Sequence, residues 1–101
     1  MQDKVTKINS LEARYNIHSC LENIDKKDLD KSLLVCNEVI KKFPEEPKPF
    51  TDRSLIYILK GHNKLACNDI KQALRILNNK QKAIDPLIKY QIEVRDASCP
   101  K

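Results

Sequence analysis

The sequence predicts an all-α fold of about five helices arranged as antiparallel hairpins. Three observations carry that expectation. The 101 residues contain a single glycine, too few for the tight turns that sheets and phosphate loops use. Apolar residues recur at three- and four-residue steps through most of the chain, and no stretch alternates in the strand pattern. The sequence also resembles itself when displaced by 34 residues, bringing Cys20 onto Ser54, Leu21 onto Leu55, Ile24 onto Ile58, Cys36 onto Ile70 and Val39 onto Ala73. A fixed period of that size marks a helical array.

Each element has its own signals. The first helix is expected from Asp3 to Ile24, with a break near Asn16 because it is otherwise long for a globular helix. "DKKD" is a polar connector in which Asp25 or Asp28 can cap the second helix, from Asp28 to Phe43. "PEEPKP" ends that helix, and Pro47 and Pro49 suit the first turn of a third, which runs to Lys60. Gly61 in "GHN" is free to take the left-handed conformation that closes a helix. A fourth helix is expected from Asn63 to Leu77. Asp85 followed by Pro86 opens a fifth, ending near Asp96, with "ASCPK" as a frayed tail.

Composition bounds the rest. One domain of 1–101 is all this length supports. Lys and Arg exceed Asp and Glu by five, and the excess lies in residues 51–101, where ten bases face five acids. That asymmetry points to an acidic partner or surface. No run approaches the roughly 20 apolar residues of a membrane span, and residues 1–10 show no apolar signal core. Cys20, Cys36, Cys67 and Cys99 lack C-x-x-C spacing. They are expected reduced and cytosolic, the first three packing as small hydrophobes and Cys99 exposed.

The stretch from Phe50 to Ala73 resembles a tetratricopeptide repeat. Phe50 stands for the family's Trp, Ser54 for its small Gly and Tyr57 for its Tyr; Ala66, Ile70 and Ala73 follow in register, with Asp69 at a frequently acidic position. Arg53 departs from the usual Leu and Asn78 from the usual Pro. The clear copy covers 47–80. A weaker one covers 13–46, keeping Pro44 but placing Asn16 and Asn23 at the aromatic positions, and 81–96 corresponds to a capping helix.

The resemblance implies a short right-handed superhelix whose first helices line a concave groove. Groove residues would be Arg14, Ile17, Leu21 and Ile24, then Lys48, Thr51, Leu55, Ile58 and Leu59, then Lys82, Lys89 and Ile92. Apolar at its centre and cationic at its margin, the list suits an amphipathic segment with acidic flanks. Ile17, Leu21 and Thr51 replace the Lys and Asn residues with which some members clamp chaperone tails, so that ligand is rejected. A separate basic stripe, Lys64, Asn68, Lys71 and Arg75, lies on one helix face, flanked by Lys60, Lys80 and Lys82. It offers charge to an acidic protein or to phosphates, but no aromatic interleaves for base stacking, so nucleic acid is disfavoured. His18 and His62 lack any sequence-placed dyad partner. No catalytic residue, metal site or cofactor is expected. The functional expectation is a cytosolic module binding one protein partner, through the groove or the basic face. Toxin-neutralising immunity protein, secretion chaperone and homodimeric structural protein are the rival readings.

Overall fold

The computed structural model describes residues 15–79 and 84–100. These form five helices and no strand: α1 (Ser19–Glu22), α2 (Leu29–Lys42), α3 (Pro47–Leu59), α4 (Asn63–Asn79) and α5 (Pro86–Ala97). No described helix is long and apolar enough to cross a membrane.

Local chemistry sets most of the boundaries. Of the long first helix, only α1 and its approach are described. The chain turns ahead of it, where the Asn16 Oδ1 accepts from the His18 amide at 2.8 Å and the Asn16 amide donates to the Ser19 Oγ at 2.8 Å. An asparagine offering its backbone those bonds competes with a helix. Asp28 caps α2, its Oδ1 accepting from the Lys31 amide at 3.0 Å. Asp25 instead closes the connector: its Oδ1 accepts from the Lys27 amide, and its own amide donates to the Ser32 Oγ. Pro47 and Pro49 open α3, and both are fully buried. Gly61 takes φ +79°, and the three-residue turn folds α4 back along α3. Asp85 caps α5 by accepting from the Leu87 amide.

The centre of the fold is α3, which packs against α1, α2, α4 and α5. One face enters a cluster with Cys20, Cys36 and Val39 through Ile56. The other contributes Phe50 to a cluster of Ile70, Ala73, Ile76, Ile88 and Ile92. Burial repeats along the chain with the period seen in the sequence. Cys20, Ser54 and Ile88 are buried, as are Ser32 and Ala66, Cys36 and Ile70, and Val39 and Ala73. The helices α2 and α4 begin one 34-residue step apart, at Leu29 and Asn63.

Polar ties hold the layers. The Arg53 guanidinium forms a two-pronged bond to Asp69, Nη2–Oδ1 at 2.6 Å and Nε–Oδ2 at 2.8 Å. Its Nη1 reaches Asn37 Oδ1 at 2.9 Å, so one side chain joins α2, α3 and α4. It also lies over the Phe50 and Tyr57 rings, with centroids 5.8 and 5.6 Å away. Burial pushes the Asp69 carboxyl above its ordinary value against the opposing pull of Arg53. The Asp69 bond, in turn, raises the Arg53 guanidinium. The paired fork geometry is that of a bidentate carboxylate–guanidinium contact. On the far side, Arg95 of α5 donates from Nη1 to the Thr51 carbonyl at 2.6 Å and to the Ser54 Oγ at 3.2 Å.

Two expectations about the cysteines are overturned. All four are paired, Cys20 to Cys36 and Cys67 to Cys99, so none is a reduced thiol. The residue expected in a frayed tail, Cys99, is buried at 7% exposure. Antiparallel packing explains both corrections. Folding brings α1 against α2 and the end of α5 against α4, which sets the paired Cα atoms 4.4 and 5.7 Å apart.

Arg53→Leu should cost on the order of 3 kcal/mol in urea unfolding, because it leaves Asp69 buried without its counter-charge. The double variant with Asp69→Leu should recover at least half of that loss. A double variant costing the sum of the Arg53→Leu and Asp69→Leu single variants would show that the two side chains are not coupled.

Candidate functional site

The expected groove residues separate into several environments. Arg14 and Lys82 lie outside the described residues. Thr51 is fully buried, its Oγ1 donating to the Pro47 carbonyl at 2.9 Å. Ile92 is a core residue with no exposure. Lys48 spends its charge on Asp52 at 2.6 Å, with both side chains largely buried. Packing of α5 on α3 covers part of what an open groove would display: Arg95 bonds the Thr51 carbonyl, and Ile92 joins the cluster that contains Phe50. Ile24 packs on the cluster around Cys36, and Ile17 and Leu55 are half-buried. Leu21, Ile58 and Leu59 remain available at 36, 44 and 50% exposure, and Lys89 is exposed.

One of these, Ile58, borders a recess of about 340 Å³ between α3, α4 and the end of α5. Ala66 and Ile70 of α4 and Val94 of α5 supply the rest of its apolar lining. Asn63, Arg95 and Ser98 add polar groups, and the Cys67–Cys99 bridge forms one side. Small side chains make the space: Ala66, which stands where a larger residue would fill the gap, is 3% exposed. Burial lowers the Arg95 guanidinium from its ordinary value, with Asp52 partly offsetting it. Asp52 is itself raised by burial, against the opposing bond from Lys48. An apolar recess with a bound cation at its edge can take an apolar side chain next to an anionic or carbonyl group.

The basic stripe is solvent-facing. Lys64, Asn68, Lys71 and Arg75 are all exposed, while Ala66, Ile70 and Ala73 of the same helix are buried. Arg75 donates to Gln72 Oε1 at 2.8 Å. The expected flank is reduced, because Lys60 pairs with Asp30 and residues 80–83 lie outside the described part. Three of the stripe residues, Lys64, Asn68 and Lys71, line a second concavity with Asn63, Cys67 and Pro100. The two concavities share Asn63 and Cys67, and so adjoin across the bridge.

Sequence reasoning missed Asn63, Val94, Arg95, Ser98 and Cys99. The available signal was the even cysteine count, with Cys67 and Cys99 together in the second half of the chain. Periodicity alone places Val94 on a surface and says nothing of the tail folding back.

No protein-family model matches the chain, and no solved structure matches it. A UPF0162 protein of Xylella fastidiosa is 33% identical over 61 residues. The matched stretch covers 60% of this chain and 21% of that relative, so the chain spans about a fifth of the relative's length.

Reducing both bridges should lower stability by roughly 3 kcal/mol each, from the entropy regained by the unfolded loops. Urea unfolding with and without a phosphine reductant measures this. Identical midpoints would mean that the bridges do not hold the folded chain together.

Proposed function

We propose that the protein is a small interaction module that binds one protein partner by taking an apolar anchor into the recess bordered by Ile58, Ala66, Ile70 and Val94. The observation that carries this reading is the recess itself, a concave apolar surface with a few convergent polar groups, built from three helices around a bridged tail. Exposed Leu59, next to Ile58 in sequence, adds apolar area. The tetratricopeptide-like reading is supported by burial that repeats at the same step as the residues, by the α3–α4 hairpin, and by Ser54, Ala66 and Ala73 at buried positions. The bound segment acts sterically, by occupation of a rigid surface. An immunity protein masking a toxin is one form of this mechanism, and a secretion chaperone is another. The two bridges favour an oxidising compartment over the cytosol that reduced thiols would have suggested.

A second reading has its own observation. Leu87, Tyr90 and Val94 recur at three- and four-residue steps on α5 and stand 61, 64 and 48% exposed. That stripe is an apolar face suited to self-association of two copies.

Affinity capture from the native host with the bridged protein as bait tests the first reading. A partner retained by the parent should be lost with Ile58→Glu and kept with Leu34→Glu, a change on α2 away from the recess. Loss with both variants, or with neither, would remove the recess as the docking point. Sedimentation tests the second reading: a dimer should dissociate at least tenfold more readily with Tyr90→Glu, and a parent that is monomeric at high concentration would exclude it.

A further inference from the structure

The second concavity has a chemistry of its own. It measures about 390 Å³ and is lined by Asn63, Lys64, Asn68 and Lys71 from α4, with Cys67 at its base and Pro100 closing it from the tail. Two ammonium groups and two carboxamides line it, and among the described residues no carboxylate does. None of these four side chains has a hydrogen-bond or ion-pair partner among the described residues. Two other lysines of the fold, Lys48 and Lys60, are held by Asp52 and Asp30. Among the described residues, the charge at the cleft is therefore uncommitted.

We infer that this cleft is a carboxylate-binding site for an acidic, extended segment of a partner protein, assembled by the Cys67–Cys99 bridge. The spacing supplies the geometry. Lys64 and Lys71 stand seven residues apart on one helix face, roughly 10 Å along its axis, which is the reach of about three residues of extended chain. A segment carrying two carboxylates at that separation meets both ammonium groups, with Asn68 between them as an amide donor. The bridge supplies the wall. It ties the tail covalently to α4, adding to the bonds from the Ser98 and Cys99 amides that continue α5. Nucleic acid fits less well, because no aromatic side chain lines the cleft to stack a base. This site shares Asn63 and Cys67 with the apolar recess, but its lysines, Lys64 and Lys71, lie outside that recess, so the two readings are tested by different variants.

Fluorescence anisotropy of labelled hexaglutamate with the bridged full chain tests it. Binding should saturate and weaken as salt rises. Lys64→Glu together with Lys71→Glu should weaken it about tenfold or more, equivalent to about 1.4 kcal/mol. Lys31→Glu together with Lys41→Glu, the same charge change placed on α2, should retain binding. Cys99→Ser should weaken it while circular dichroism shows the helices intact; if that variant loses its helices, the lysine variants alone decide. The inference is overturned if the α2 control weakens binding as much as the cleft variant, if folded Cys99→Ser binds like the parent, or if an oligothymidylate displaces the peptide at lower concentration than hexaglutamate itself.

Discussion

A helix buried on both faces constrains everything around it. The thirteen residues of α3 touch all four other described helices, and seven of them are buried. The helix nevertheless carries Thr51, Asp52, Arg53 and Ser54 in succession. Each is answered: Thr51 and Ser54 bond to carbonyls of their own helix, Asp52 to Lys48, and Arg53 to Asp69. No buried side-chain nitrogen or oxygen lacks a partner among the described residues. An interior with that much polarity is stable only when the satisfaction is complete, and completeness also fixes how the neighbours sit. Asp69 can meet Arg53, and Arg95 can meet Thr51, in only one placement of α4 and α5.

Helix identity was legible in the residues, and the inward side of the groove was not. Periodicity, the Asp28 and Asp85 caps, the two prolines of α3 and Gly61 are local signals, and local signals suffice for elements whose ends are chemically marked. The replacement of a usual Leu by Arg53 looks like a defect in one dimension. Only when Asp69 and Asn37 arrive from neighbouring helices does it become a hub. Thr51 and Ile92 were placed in the groove because a repeat register assigns them to its concave side. Their burial depends on how closely α5 lies on α3, a distance no single-helix pattern encodes. The tail was misread for a related reason: five residues without periodicity carry no signal that a thiol at position 99 returns to one at position 67.

The same bridge organises both candidate surfaces. On one side of it the lining is aliphatic, from Ile58, Ile70 and Val94; on the other it is cationic and amidic, from Lys64, Asn68 and Lys71. A covalent link at the boundary makes the two concavities parts of one surface with a fixed relation between them. The charge asymmetry between the halves of the chain thereby acquires a location, because the cationic lining belongs wholly to the second half.

The paired prolines at the start of α3 have a consequence for how deeply that helix can be sunk. A helix begins with four amide protons that its own carbonyls cannot reach. Pro47 and Pro49 carry none, so half of that demand disappears where the chain enters the interior, and Glu46 does not supply a side-chain cap. Both rings also restrict the denatured chain, which surrenders less freedom when it folds. Imide chemistry at two positions thus permits two residues of a first helical turn to lie fully buried, a location that ordinary residues would reach only by recruiting water or another side chain.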